Sequence, residues 1–188
     1  MTSPRQLLSK RQSETVAALL DAGLQELREA GWEQLSLRSV AQRAGVTHTT
    51  AYSYFASKAH LVAEVYYQTL CAVPDPSVRS SDRFALRVRK AFEGPSHAMA
   101  QEPELARAVL GAIIDNDADI RRLRDAAGSE LARRLDLALG DLGGADVRSS
   151  LLFAYSGAML NAGLGDGDYE RVVAQLEVLG RLIEPSKS

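Results

Sequence analysis

The chain has 188 residues, 46% of them hydrophobic and 24% charged, which is ordinary for a soluble domain and enough for a packed core. Aromatics are only 6%, which favours helix over strand, and the net charge of −2 gives no whole-chain sign of nucleic-acid binding. One cysteine, Cys71, excludes an intrachain disulfide or a thiolate metal cluster, and no apolar run approaches the roughly 20 residues of a membrane span.

Helical periodicity runs through the chain. From Lys10 to Ala30, Val16, Leu19, Leu20, Gly23, Leu24 and Leu27 recur three or four apart, and Gly31 is a natural stop. Ser36 is an N-cap for a short helix carrying Leu37, Val40, Ala41 and Ala44, which Gly45 ends. Val46–Phe55 is rich in β-branched and aromatic residues, and propensity alone would make it a strand. Ser57 caps a further helix with Leu61, Val62, Val65, Tyr66 and Leu70 on its buried side. Pro74 and Pro76 mark the one clear internal break, within Ala72–Asp82. Helices resume at Phe84. Gly94–Pro95 is expected to interrupt the first of them, because proline removes a backbone donor and clashes with the preceding turn. Glu104–Ile114, Asp117–Leu142, Asp146–Leu164 and Tyr169–Ile183 follow, the last two separated by a Gly-Asp-Gly turn.

The conflict at Val46–Phe55 is informative, since local preference and global fold disagree most often at functional sites. A capped short helix, a glycine turn and a second short helix starting near Thr47 make a helix-turn-helix. Ala41, Val46, Ala51 and Phe55 would pack it, leaving Thr47, His48, Thr49, Thr50, Tyr52 and Tyr54 outward. Threonine offers a hydroxyl to base edges or phosphates and a methyl to thymine, while tyrosine hydroxyls and Lys58 suit phosphate oxygens. Regional charge agrees: residues 1–60 hold seven Lys/Arg against five Asp/Glu. Arg5, Lys10 and Arg11 can extend the basic surface.

The run Ser36-Leu37-Arg38-Ser39-Val40-Ala41-Gln42-Arg43-Ala44-Gly45-Val46-Thr47, followed by Thr50-Ala51-Tyr52-Ser53-Tyr54-Phe55-Ala56-Ser57-Lys58 and Leu61, resembles the DNA-binding signature of the TetR family. The resemblance implies that Ser36, Tyr52, Tyr54 and Lys58 meet the DNA backbone, and that Arg38, His48 and Thr49 stand where base contacts vary between members. The chain departs from the common pattern at Thr49, where a small residue is frequent, and at Ala51, where leucine is common. It also implies an all-α fold: a helix-turn-helix DNA-binding domain over residues 1–56, a linking helix and loop over 57–79, and a ligand-binding and dimerisation domain over 80–188.

For the C-terminal part, Ala154, Gly157, Ala158 and Ala162 beside Leu151, Phe153, Met159 and Leu160 would let a partner helix approach closely. Candidate contacts to an inducer are Phe92, His97, Met99, Ile113, Phe153 and Met159. No catalytic arrangement, phosphate-cradling glycine loop or metal spacing is present: His48, His60 and His97 are scattered, and Asp115, Asp117 and Asp119 lack the remainder of a calcium loop. His60 reads as a surface residue. The expectation is a cytoplasmic, cofactor-free homodimer that binds a double-stranded palindromic operator and releases it when a small, mainly apolar molecule binds. An activator, a ligand-independent regulator, a helical carrier with a vestigial helix-turn-helix and a helical enzyme are the rival readings.

Overall fold

The computed structural model of the chain describes residues 10–115, 117–165 and 168–184. Among them are nine helices and no strand: α1 (Lys10–Gln34), α2 (Leu37–Arg43), α3 (His48–Tyr54), α4 (Lys58–Ala72), α5 (Phe84–Gln101), α6 (Pro103–Ile113), α7 (Ala118–Leu139), α8 (Ala145–Leu164) and α9 (Tyr169–Leu182). None of them is long and apolar enough to cross a membrane.

The termini of the helices follow from local chemistry. Ser36, Thr47 and Ser57 each accept a hydrogen bond from the backbone N–H three residues on, satisfying a donor the helix cannot use itself. Gly31 leaves the helical region (φ 74°, ψ 173°) and kinks α1, after which one more turn carries the chain to Gln34. The expected stop is thus a bend.

Two apolar cores share the molecule. The first joins Leu19 and Leu27 of α1, Val40 and Ala41 of α2, Ala51 and Phe55 around α3, and Leu61, Val62 and Val65 of α4, and it continues into Leu105, Ala108 and Ala112 of α6. The second is built by Phe84, Val88 and Phe92 of α5, Leu131, Leu135 and Leu139 of α7, Leu151 and Tyr155 of α8, and Val172 and Leu176 of α9. α4 runs between them. Ala59, His60, Leu61, Val62, Ala63, Glu64, Val65 and Leu70 are all buried, so it is sequestered on most sides, as a central helix must be. His60 is therefore a core residue, contrary to expectation. Its Nδ1 accepts the Ala56 N–H (3.3 Å) and lies 4.0 Å from a carboxylate oxygen of Asp119, and its ring meets the Phe55 ring edge-on, so the bend between α3 and α4 supplies an apolar and a polar neighbour.

Gly94–Pro95 does not interrupt its helix: α5 runs unbroken from Phe84 to Gln101 with Pro95 buried inside it. Phe84, Val88, Ala91, Phe92, Pro95 and Met99 form one continuous buried face. Burying such a face outweighs the roughly 3 kcal/mol that an interior proline costs. Gly94 is needed for proximity, because a Cβ there would lie 2.5 Å from Val73 Cγ1. The loop so seated is also held by Arg134 of α7, a buried arginine that donates to the carbonyls of Val73 (3.0 Å) and Pro74 (2.5 Å).

Among the described residues α5 packs most extensively against α9. A Cβ on Gly180 would lie 2.9 Å from the Ala85 Cα, a backbone atom that cannot move aside. Gly180→Val is expected to destabilise the fold by about 1–3 kcal/mol through overpacking. At roughly 2–4 °C per kcal/mol for a chain of this size, thermal unfolding will register a lower midpoint. An unchanged midpoint would mean that the two helices do not approach this closely.

Candidate nucleic-acid interface

α2 ends in a Schellman turn. Gly45 takes φ +68°, its N–H reaches the Gln42 carbonyl (3.2 Å), and the Val46 N–H reaches the Ala41 carbonyl (3.0 Å). Val46 folds back onto the core, and the chain re-enters a helix two residues later. Thr47 caps it: its hydroxyl accepts the Thr50 N–H (3.1 Å) and pairs with the Thr50 hydroxyl (2.8 Å). The β-branched run that favours a strand is thus held as α3 by its cap and by the burial of Ala51 and Phe55, both 0% exposed. The small Ala51 side chain lets α3 lie close to its neighbours.

What α3 offers outward is a row of neutral hydrogen-bonding groups. Thr47, His48, Thr49, Tyr52 and Ser53 are exposed, Thr50 is half-buried, and the His48 and Tyr52 rings meet edge to face at 4.7 Å. Tyr54 is half-buried and packs on the first core, so it is anchored more than the outward reading supposed. Ser53 was not among the expected residues. It lies four positions after Thr49, hence on the same helical face, although its hydroxyl is donated to the Thr50 carbonyl (2.7 Å). From α2, Ser36 and Arg38 stand exposed beside this row, and no ion pair engages Arg38 among the described residues.

The other two cations have work inside the molecule. Arg43 crosses from α2 to α1, its Nε on Glu26 (2.6 Å) and its remaining nitrogens on Glu29 and Gln25. Hydrogen bonding to these carboxylates pushes the Arg43 pKa up and the Glu26 pKa down. Lys58 is not the unattached cation its position suggested. Its Nζ donates to the Trp32 carbonyl (2.9 Å) and stands 4.3 Å from the centre of the Trp32 ring, tying the start of α4 to the end of α1. Residues 34–63 contain no Asp or Glu, so α2, α3 and the start of α4 contribute no carboxylate of their own. Arg5 falls outside the described residues, while Lys10 and Arg11 are the first residues of α1.

A second concave site lies in the other half. A mainly apolar cavity of about 430 Å³ is walled by Ala106, Val109 and Leu110 of α6, Met99 of α5, Tyr66 of α4, and Tyr155 and Met159 of α8, with Tyr169 of α9 and with Arg124 and Gly128 of α7 around it. Of the expected ligand contacts, Met99 and Met159 line this cavity and three others do not. Phe92 is fully buried in the second core, stacked on Tyr155 at 4.4 Å, because α5 is continuous and turns it inward. His97 is exposed, on an outer groove between α5 and α9. Phe153 is 77% exposed on the outside of α8. The side chain of Ile113, and Asn116, lie outside the described residues. The cavity's α6 wall also touches the reading half: a Cβ on Gly111 would lie 3.3 Å from Trp32 Nε1, and Arg28 of α1 forms a forked ion pair with Glu102, whose Oε2 is 2.8 Å from its Nε.

Comparison with known proteins agrees with this geometry. Residues 19–65, which hold the helix-turn-helix, match the family described as bacterial regulatory proteins, tetR family. An uncharacterized HTH-type transcriptional regulator of Mycobacterium tuberculosis H37Rv, Rv0767c, is 36% identical over 93% of this chain and 83% of its own length. The HTH-type transcriptional repressor KstR of Rhodococcus jostii RHA1 is 29% identical over 72% of this chain and 64% of its own. Among solved structures, a TetR transcriptional regulator from Rhodococcus sp. RHA1 superposes with a TM-score of 0.72 at 17% identity, covering 95% of this chain and all of the other. FadR from Bacillus subtilis, in complex with stearoyl-CoA, gives 0.60 at 16% identity, covering 92% and 99%.

The turn itself is testable. No atom lies within 4 Å of a Cβ built on Gly45, so a substitution there meets only the cost of the left-handed backbone. Gly45→Ala is expected to cost about 1 kcal/mol, and Gly45→Asn less, in chemical or thermal unfolding. Equal losses for the two would point to a cause other than backbone conformation.

Proposed function

The chain belongs to the TetR family of bacterial regulatory proteins, helix-turn-helix transcriptional regulators rather than enzymes, and we propose that it is a homodimeric repressor that grips a palindromic operator and lets go when a small molecule fills the cavity. The observation that carries the reading is α3: its inward residues are fully buried, and its outward residues are uncharged hydrogen-bonding groups within a stretch, residues 34–63, that has no carboxylate of its own. Such a helix suits the major groove, with its N-terminal residues toward base edges.

In this reading His48 and Thr49 contact bases, with Arg38 beside them. Ser36, Thr47, Thr50, Tyr52 and Tyr54 contact the backbone, and Lys58 does so with the ammonium hydrogens that Trp32 leaves over. The domain division is 1–56 for DNA, 57–79 for linkage, and 80–188 for ligand and dimer. The sense of regulation is supported by the relative named a repressor, and ligand control by the cavity together with a similarly folded regulator that holds stearoyl-CoA. Dimerisation is supported by a row of exposed large apolar side chains, Phe153, Leu160 and Leu164 on α8 with Val178 and Leu182 on α9. Residues spaced by seven, by eleven and by four share a helix face, and such a row belongs against a second copy. The two readers would then address half-sites about one helical turn apart. Because α6 both walls the cavity and seats Trp32, a ligand that displaces α6 moves the reading half, with a coupling typically of 1–3 kcal/mol.

Selection from a random duplex library with the full chain, followed by titration against salt, tests the DNA reading. A palindromic consensus and a steep loss of affinity with salt are expected. Thr49→Ala and His48→Ala should change base preference at one position of each half-site, by about 1–3 kcal/mol. Tyr52→Phe, which keeps the ring on His48, should weaken all sequences alike. Affinity without sequence preference or salt dependence would end the proposal. For the dimer, sedimentation at micromolar concentration should give two chains, and Phe153→Glu with Leu182→Glu should give one.

A further inference from the structure

The polar inventory of the cavity says what kind of molecule it accepts. Its walls are aliphatic, and the polar groups among them are mostly tyrosine hydroxyls. Tyr155 is provided for: Ser96 lies between it and Met159, within hydrogen-bond reach of both. Tyr66 and Tyr169 are not, since neither hydroxyl has a hydrogen-bond partner among the described residues, although Tyr169 is only 4% exposed. Neither hydroxyl is sealed from solvent, so each can give its proton to water or to a ligand in the cavity. Burial pushes the Tyr66 hydroxyl up to about 12 and the Tyr169 hydroxyl in the same direction. Both therefore stay protonated and act as donors in search of an acceptor.

Charge is scarce by comparison. Arg124 is the one ionic residue lining the cavity, and it already has a partner within the chain. An ionised ligand group would lose its water among walls that are mainly aliphatic or neutral, with Arg124 the single cation among the lining residues. The volume of about 430 Å³ lies within the range of small-molecule sites.

We propose that the cavity takes an uncharged, mainly hydrocarbon molecule bearing an acceptor oxygen, a ketone, ester or lactone carbonyl, seated on the Tyr66 hydroxyl. The assignment rests on reading the cavity as the effector site, and it specifies the chemistry of the effector. The acceptor oxygen takes the Tyr66 proton in a hydrogen bond, Tyr169 supplies the second donor, and the hydrocarbon body lies along Val109 and Met159. Gly128 stands at the exposed rim, where a Cβ meets open space, so a larger side chain there plugs the entrance without crowding a neighbour.

The test is calorimetric titration of the full chain, without DNA, against 2-undecanone and against undecanoate, which have the same number of carbons. The ketone is expected to bind at least roughly tenfold more tightly than the acid. Tyr66→Phe, which keeps the ring and removes the donor, should weaken the ketone by about fivefold and leave undecanoate unchanged. Gly128→Leu should weaken the ketone by tenfold or more while keeping or raising the melting midpoint, since leucine is the better helix former. Undecanoate binding as tightly as the ketone would overturn the proposal, as would a Tyr66→Phe variant with full ketone affinity. Adding operator separates the two levels. Ketone binding through Tyr66 that leaves the DNA complex intact would sustain the ligand assignment and remove ligand-triggered release. Release of DNA by undecanoate alone would do the opposite.

Discussion

Seven residues cannot hold a helix in water, because the cost of nucleation is recovered only over a dozen or more. α3 is seven residues long, and its composition leans toward strand. It exists because Ala51 and Phe55 are wholly buried against α1, α2 and α4 and because Thr47 satisfies its first turn. Everything outward on α3 is therefore free to be chosen for contact rather than for stability. That division of labour, inner residues for position and outer ones for recognition, is the condition on which the DNA-facing surface depends.

The same core that fixes α3 does not stop at the end of the reading half. Leu105, Ala106, Ala108, Val109 and Ala112 of α6 belong to it, and Ala106 and Val109, with Leu110 of the same helix, also line the cavity. One helix is thus wall to one compartment and core to another. Close-packed interiors transmit displacement poorly by compression and well by shifting whole elements. Arg28 with Glu102 and Trp32 over Gly111 join the two halves on a second line, through α1.

The legible features were those set by neighbours in sequence. The caps at Ser36, Thr47 and Ser57, the left-handed turn at Gly45 and the apolar stripes were readable because each depends on a few adjacent residues. What the sequence hid depends on residues far apart. Lys58 reads as a cation for phosphate alone until α1 brings Trp32 to it, 26 positions away in the chain. Arg43 reads as solvated charge until Glu26 and Glu29 arrive from α1. His60 reads as polar surface until Phe55 and the Ala56 N–H enclose it. Pro95 reads as a break because local rules count the lost hydrogen bond and not the buried face that outweighs it. In the continuous α5, Phe92 is buried and His97 is exposed.

Trp32 is the only tryptophan in the sequence, and it sits where α1, α4 and α6 meet, with the Lys58 ammonium over its ring and Gly111 against its edge. Indole emission responds to nearby charge and to the polarity around the ring. The unmodified protein thus carries a single built-in optical probe at the joint between its two halves. A shift of α6 against α1 changes what lies against the edge of the ring, and the change can be followed in real time without a label.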